Sequence, residues 1–237
     1  MGDLAKMKKK FGILLLLLVT LTSRADSTNL TVTATPGAAV PDGNPVGMTS
    51  TLNVSGMSYV VSSVTVHLDI TGGFNGDLYA YLYSPNGISV VLLNRVGMSS
   101  GNAAGYGDTG FNVTLDSASL NNIHGYQNPS LGYPGSLNGD GQITGTWAPD
   151  ARTIDPLYST PSQFDAGPTS TDNSLANLVG LNPNGDWTLF IADLSGGGQS
   201  TLVSWGLTVV TVPEPQTWTM LGGGLAAFWL LCRRRRN

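Results

Sequence analysis

The sequence predicts an all-β protein: an antiparallel β-sandwich of the jelly-roll type, with an apolar segment at each end of the chain. Short runs of alternating or β-branched residues are separated by Gly, Asn, Pro and Asp, and no helix of normal length is evident between residues 26 and 212. The 237 residues include 31 glycines, and only 11% of the residues are charged. Such a composition favours strands and turns over helices.

Alternation of apolar and polar residues identifies the individual strands. The run Val64–Ile70 has a period of two, which places His67 on the polar face of a half-buried strand. Turns at Ser84–Gly87 and Asn182–Asp186 contain the Pro, Asn and Gly residues that tight turns need. Residues 97–182 are less regular and are predicted to contain mainly loops. Strands are expected near Thr49–Val54, Tyr59–Ile70, Leu78–Tyr83, Ser89–Leu93, Phe111–Leu115, Trp187–Ala192 and Thr201–Val210.

The N-terminus has the features of a secretory signal peptide. Four lysines between Lys6 and Lys10 precede the apolar run Phe11–Val19, which is too short to span a bilayer comfortably. Ser23 and Ala25 are small residues at the two positions that a signal peptidase reads. Residues 1–25 are therefore predicted to be removed by signal peptidase, which cuts between Ala25 and Asp26. An uncleaved membrane anchor is the alternative.

The C-terminus predicts a weak transmembrane helix that stops export. As a helix, the uncharged run Thr217–Cys232 would be roughly 24 Å long, a little less than the ~30 Å hydrocarbon core of a bilayer. Its three consecutive glycines, Gly222–Gly224, weaken the helix, so we expect the span to be transient. A block of arginines follows and is too costly to move across a bilayer. This cytoplasmic stop-transfer block is Arg233, Arg234, Arg235 and Arg236.

The order of these C-terminal elements resembles the PEP-CTERM sorting signal. A proline-rich motif, an apolar helix and terminal arginines follow one another in residues 212–237; the motif itself is Val212, Pro213, Glu214 and Pro215. Two prolines fix the backbone in an extended form that a protease can grip just outside the membrane. The resemblance implies a Gram-negative bacterium with an exosortase, a membrane-embedded cysteine protease, as partner, and an association with exopolysaccharide or biofilm. A plain single-pass anchor is the alternative.

The charge and cysteine content of the body exclude some classes of function. Between residues 26 and 212 there are thirteen aspartates, no glutamate and only two basic side chains, Arg95 and Arg152. A nucleic-acid-binding protein needs a basic surface, so no nucleic-acid partner is expected. The single cysteine, Cys232, lies in the tail, so the body has no disulfide. This is consistent with an exported bacterial domain that depends on its hydrophobic core.

Several short motifs in the body, taken in order, resemble the P domain (P/Homo B) of proprotein convertases and bacterial subtilisin-like proteases. They are Gly73–Gly87, Leu92–Gly97, Gly185–Asp193 and Trp205–Leu207. The resemblance implies a jelly roll over residues 49–211, preceded by an N-terminal extension at residues 26–48. The family domain usually follows a protease domain and stabilises it. Too few residues precede the first predicted strand for such a domain, so a free-standing, non-enzymatic module is expected.

Two aspartates are candidate metal ligands. Asp77 precedes a predicted strand and Asp193 ends another, and the resemblance implies Ca²⁺ near such positions. Ca²⁺ takes six to eight oxygens, which carboxylates, loop carbonyls and water can supply. The alternative is that each aspartate accepts backbone hydrogen bonds in a turn. The segment Asn138–Ile143 also resembles part of an EF-hand loop, but Trp147 stands where the bidentate glutamate belongs, so a turn is predicted.

The tryptophans and histidines leave alternative functions open. Trp187 and Trp205 lie in predicted strands and are expected in the core, whereas Trp147 is the candidate for stacking on a carbohydrate at the surface. No nucleophile motif accompanies His67 or His124, so no catalytic residue is assigned. The leading hypothesis is an exported cell-surface or extracellular-matrix module. The alternatives are a Ca²⁺-dependent carbohydrate-binding module and a secreted hydrolase.

Overall fold

The computed structural model describes residues 27–128, 135–168 and 174–212, together with Gly223 and Gly224. Across these residues the chain forms ten strands in two sheets. The strands are β1 (Thr28–Ala34), β2 (Ala38–Ala39), β3 (Asn44–Val54), β4 (Val60–Gly72), β5 (Leu78–Tyr83), β6 (Ser89–Asn94), β7 (Gly110–Asp116), β8 (Ile143–Trp147), β9 (Gly185–Asp193) and β10 (Ser200–Val212).

The first sheet has the strand order β1-β10-β4-β7-β8, with β2 also paired to β10, and the second sheet has the order β3-β9-β5-β6. Every pair is antiparallel except β7 with β8, which are parallel. Neighbours in each sheet are often distant in sequence, as expected for a jelly roll rather than a meander. The predicted all-β sandwich is confirmed, with one parallel pair that the sequence did not indicate.

The core lies between the two sheets and is built by alternation along each strand. In β4 the side chains Val64, Val66, Leu68 and Ile70 are buried, while the polar residues between them face outward. Burying a side chain of this size contributes about 1.5–3 kcal/mol. Trp187 and Trp205 are the largest fully buried side chains, which confirms their predicted place in the core. Their indole nitrogens donate to Pro183 O and Ser50 Oγ, each at 2.8 Å.

All seven predicted strands are present, but the sandwich begins earlier in the chain than predicted. Residues 26–48 were predicted to be an extension, yet β1 and β2 pair with β10 and complete the edge of the first sheet. The sandwich therefore begins at Thr28 rather than at Thr49. The strand β8 was also missed, because it lies inside the irregular middle of the chain.

Between residues 27 and 212, the described chain has short 3₁₀ turns in place of α-helices, for example Asn75–Asp77 and Ile123–Gly125. No helix in the described parts is long and apolar enough to cross a membrane. The predicted signal peptide with Ala25 and Asp26, the motif residues Pro213, Glu214 and Pro215, and the block Arg233 to Arg236 lie outside the described residues. Val212 is the last residue of β10.

Gly76 marks a close approach between two parts of the chain. Its N–H donates to Tyr106 O at 2.8 Å, and a Cβ added to it would lie 2.3 Å from Ala104 O and 2.7 Å from Gly105 Cα. Both neighbours are backbone atoms, which cannot rotate away as a flexible side chain can. The 3₁₀ turn that holds Asp77 is therefore packed directly against the loop after β6.

We expect Gly76→Ala to lower the free energy of unfolding by about 1–3 kcal/mol, because the new methyl group overpacks this contact. The measurement is thermal or urea unfolding of the purified full-length chain. Gly107→Ala is the matched control, since a Cβ there meets nothing within 4 Å. Equal stability of the two variants would show that the contact is not tight.

Candidate functional site

The structure brings the predicted pair Asp77 and Asp193 together at one end of the second sheet. Asp77 ends the 3₁₀ turn before β5, and Asp193 ends β9 opposite Leu78, the first residue of β5. Leu194 N–H donates to Asp77 O at 2.8 Å, which fixes the two segments side by side. Asp42, from the turn between β2 and β3, accepts from Gly197 N–H at 3.1 Å. We call Asp42, Asp77 and Asp193 the acidic cluster.

Arg95 provides the positive charge beside the acidic cluster. Its Nη2 lies 3.6 Å from Asp77 Oδ1 and donates to Ser195 Oγ at 3.0 Å, while its Nε donates to Gly76 O at 3.2 Å. Burial lowers the pKa of Arg95, and the charges of Asp77 and Asp193 act in the opposite direction. The guanidinium therefore joins the turn before β5 to the loop after β9.

Burial disfavours the ionised form of both aspartates. Desolvation raises the pKa of Asp193 to about 6; the negative charge of Asp77 also raises it, whereas hydrogen bonds from Ser195 and Ser200 lower it. Desolvation likewise raises the pKa of Asp77, against the opposing effects of Ser195 and Arg95. Ionisation of Asp77 and Asp193 therefore lowers the stability of the folded state.

The fit of Ca²⁺ to this cluster is incomplete. Among the described residues, no three His, Cys, Asp or Glu side chains are arranged to hold a metal ion. Asp77 and Asp193 would have to be supplemented by loop carbonyls and water to reach six ligands. The observed contacts match the turn-capping alternative in part: Asp193 Oδ1 accepts weakly from Ser195 N–H at 3.4 Å. Arg95 also places a positive charge 3.6 Å from Asp77 Oδ1, which opposes the approach of a cation to that carboxylate.

A second buried polar network was not anticipated from the sequence. His124 Nδ1 lies 2.7 Å from Asp150 Oδ2, and His124 Nε2 lies 2.9 Å from Met98 O. Arg152 Nη1 donates to Asp150 Oδ1 at 3.0 Å, and Asn94 N–H donates to Asp150 Oδ2 at 3.2 Å. Asp150 is fully buried and His124 nearly so. These contacts tie the loop after β8 to the end of β6.

This network is structural rather than catalytic in geometry. Both ring nitrogens of His124 have hydrogen-bond partners, so neither is free to take a proton from a nucleophile. The ring also stacks on Phe164, with centroids 6.0 Å apart. His67 is half-buried on the outer face of β4, as predicted, and forms no hydrogen bond with a serine in the described structure.

Trp147 does not lie where the carbohydrate hypothesis placed it. It was predicted at the surface, but its side chain is only 4% exposed and belongs to the hydrophobic core. Its Nε1 donates to Thr144 O at 3.0 Å, and its ring contacts that of Tyr126. Because the side chain is buried in the core, its ring has no open face for stacking on a sugar.

The segment Asn138–Ile143 forms a turn, as predicted, rather than a calcium loop. Asn138 Oδ1 accepts from the N–H groups of Asp140 and Gln142, both at 3.0 Å. Gly141 has a φ of 82°, which a glycine adopts without strain. The side chain of Asn138 is thus used within the turn.

The outer face of the second sheet carries a row of aromatic side chains that the sequence analysis did not single out. Tyr81 and Phe190 stack with centroids 4.8 Å apart and an interplanar angle of 19°. Tyr79 packs beside them, and Tyr83, at the end of the row, is 47% exposed. The signal was present, since tyrosine occupies every second position of β5. These rings cover the face of the sheet that is turned away from the core.

Asp150→Asn tests the buried network. The substitution removes the charge that faces His124 and Arg152, so we expect a loss of about 3–5 kcal/mol in the free energy of unfolding. Denaturant unfolding of the full-length chain measures the change. Asp140→Asn is the matched control, because Asp140 is exposed and its side chain has no partner among the described residues. If both variants are as stable as the parent chain, the network does not hold these loops in place.

The chain matches two known families over separate segments. Residues 61–125 match the proprotein convertase P-domain, a range that begins in β4 and ends in the 3₁₀ turn that holds His124. Residues 211–236 match the PEP-CTERM protein-sorting motif, which therefore begins with the last two residues of β10. No curated protein matches the chain.

Two solved structures of a serine protease from Aeromonas sobria are similar to this chain. One is the protease in complex with its chaperone, at 16% identity and a TM-score of 0.43 over 80% of this chain and 28% of that chain. The other is the protease itself, at 16% identity and a TM-score of 0.41 over 78% of this chain and 27% of that chain. The chain thus spans less than a third of the length of these proteases.

Neither matching family is an enzymatic domain. The P-domain segment lies within the β-sandwich, and the sorting motif follows from its last strand. The chain therefore carries a segment that matches the proprotein convertase P-domain and a tail that matches the PEP-CTERM sorting signal, and this signal indicates an exported protein whose membrane-anchored precursor is processed by an exosortase to a cell-surface or extracellular form.

Proposed function

We propose that this chain is a non-enzymatic module of the cell surface or extracellular matrix, and that it associates there with exopolysaccharide or biofilm material. The observation that carries the proposal is the position of the sorting motif, which starts in the last residues of β10. A cut after Val212 leaves every described strand of both sheets intact, so processing delivers a complete sandwich.

The described residues support a binding or structural role over catalysis. His124 is held by partners at both ring nitrogens, and His67 has no serine partner. The body is also strongly acidic, which favours solubility outside the cell and disfavours nucleic acid as a ligand. A secreted hydrolase, the third hypothesis, gains no support from these residues.

The sorting signal has two separable physical parts. The arginine block holds the tail in the membrane, and the proline motif presents the cutting site. We expect serine at all four positions from Arg233 to Arg236 to let the unprocessed chain pass across the membrane, because about 2.5–3.5 kcal/mol per arginine no longer opposes transfer. Membrane fractionation and the intact mass of the protein measure this in a host that has an exosortase.

The matched variant is Pro213→Ala with Pro215→Ala. It keeps the arginines, so we expect a full-length chain that stays in the membrane fraction. The parent chain is expected to yield a shortened, released form whose C-terminus lies near the motif. If the serine variant is retained and trimmed as the parent chain is, the proposed role of the arginines is wrong.

A Ca²⁺-dependent carbohydrate-binding module is the second candidate function. Its support is the acidic cluster and the partly exposed aromatic row on the second sheet, since Tyr83 and the Tyr81–Phe190 stack offer apolar surface beside solvent. Ca²⁺ at Asp77 and Asp193 is part of this proposal. Arg95 argues against a tightly held ion, because it already neutralises Asp77.

The pH dependence of stability tests the charge state of Asp193. Since burial raises its pKa from 3.8 to about 6, the folded protein holds a proton that the unfolded chain has released between these values. The contribution of Asp193 to the free energy of unfolding therefore decreases as the pH rises from about 4 to about 6 and stays low above that. We expect Asp193→Asn to unfold at a higher temperature than the parent chain near neutral pH and at a similar temperature near pH ~4.

Calcium provides the control for this experiment. If Asp77 and Asp193 hold Ca²⁺, adding CaCl₂, but not MgCl₂, raises the unfolding temperature of the parent chain and of Asp140→Asn, and leaves Asp193→Asn unchanged. An equal response of all three rules out an ion at Asp193. Binding to a glycan array that is lost on chelation and in Asp193→Asn would favour the carbohydrate-binding candidate over the matrix module.

A further inference from the structure

Open sheet edges are a hazard that most β-proteins reduce by bulges, prolines, charges or covering loops. Among the described strands, the sandwich has four such edges: β1, continued by β2, and β8 in the first sheet, and β3 and β6 in the second. Three of the four show one of these protective features over at least part of their length.

The edges at β8 and β6 are covered by loops. Thr144 N–H in β8 donates to Ser136 O at 2.9 Å, and Leu137 forms an antiparallel bridge with Ile143. On β6, the N–H groups of Asp150 and Ala151 donate to the carbonyls of Leu92 and Val91 at 3.0 and 3.1 Å. Backbone groups on these edges are therefore already paired within the chain.

The edge at β3 is interrupted in its first half. Its register against β9 shifts between Asn44 and Met48, and this interval contains Pro45 and Gly47. Pro45 lacks the N–H that an added strand needs. Gly47 has a φ of 56°, which bends the strand away from regular extended geometry. Only the second half of β3 is regular.

In β1, by contrast, no such protection is present among the described residues. All seven residues, Thr28–Ala34, pair with β10 without a register shift. The sequence TNLTVTA contains no proline and no charge and is rich in β-branched residues. No described backbone group pairs with the free side of β1, and Thr31 and Thr33 are exposed on its outer face. A regular, uncharged strand of this kind is a template for pairing with another strand.

We propose that β1 is a self-association edge: two copies of this chain pair their β1 strands antiparallel across a twofold axis and join their first sheets into one continuous sheet. A second copy fits this edge because an antiparallel pair of identical strands satisfies both copies equally. The edge carries no charge, so two copies of a strongly acidic protein meet along β1 without placing like charges opposite each other. The side chains Leu30, Val32 and Ala34 pack against the core, so the outer face at the junction consists of threonine and asparagine.

The first test compares two lysine substitutions in the full-length chain in detergent by sedimentation equilibrium. The parent chain is expected to dimerise, and Thr31→Lys is expected to raise the dimer dissociation constant at least ~10-fold, because two lysines face each other across the axis. Thr153→Lys makes the same chemical change at an exposed position away from β1 and is expected to dimerise as the parent does. Equal unfolding temperatures of the two variants show that the Thr31 change acts on association.

A second test locates the contact by cross-linking. With Cys232→Ser in the background, the chain has no other cysteine. Thr31→Cys and Thr33→Cys are expected to give disulfide- or short-linker-bridged dimers. Thr208→Cys is the matched control, because Thr208 lies one strand further in, within hydrogen-bond distance of Thr31 at 2.9 Å; it is expected to give several-fold less bridged dimer.

Three outcomes overturn the proposal: a monomer at all concentrations, a dimer that persists in Thr31→Lys, and equal cross-linking from Thr31→Cys and Thr208→Cys. The second would show that the tail or another surface holds the dimer. These results do not depend on exosortase processing, so the proposed surface function can fail while the β1 contact stands, and the reverse.

Discussion

The fold depends on the long antiparallel ladders of β10. This strand pairs with β4 from Ser200 to Val212 on one side and with β1 and β2 on the other. The last strand of the sandwich therefore lies inside its first sheet, and β1 depends on it for all of its ladder pairing. Because residues so far apart in sequence must meet, the first sheet cannot be completed until β10 is in place. The sorting signal begins in the last two residues of the strand that completes this sheet.

Sequence periodicity was sufficient to predict a strand where that strand is buried on one face over its full length. The alternation in β4 correctly predicted a strand and its inward residues Val64, Val66, Leu68 and Ile70. β1 shows the same alternation of threonine with Leu30, Val32 and Ala34. It was not predicted as a strand, because residues 26–48 were assigned to an N-terminal extension. β8 is short, and it is a strand because β7 lies beside it in parallel. No local pattern indicates a partner that is about thirty residues earlier in the chain.

Some residues of the candidate site could be predicted from the sequence, and others could not. The sequence identified Asp77 and Asp193 from their places at strand ends, and the antiparallel pairing of β5 with β9 brings them together. It could not identify Arg95 as their neighbour, because that contact depends on the loop after β6 turning back over the 3₁₀ turn at Gly76. The sequence also wrongly indicated that Trp147 lies at the surface. The burial of its ring depends on contact with Tyr126, which is distant in sequence. The network of His124 and Asp150 joins two loops that no periodicity describes.

The ladder between β1 and β10 also fixes where the ends of these two strands lie relative to the acidic cluster. Thr28 pairs with Thr211, so the segment that precedes β1 and the sorting tail leave the sandwich at the same end. The acidic cluster lies beside Ser200 at the opposite end of β10. That strand has thirteen residues and is therefore roughly 40 Å long at ~3.3 Å per residue. The acidic cluster therefore lies at the end of the sandwich opposite the one from which the sorting motif continues. The end from which the motif continues is formed by β1 and β10, and neither strand carries a charged side chain, so an enzyme that approaches the motif meets no fixed charge on these two strands.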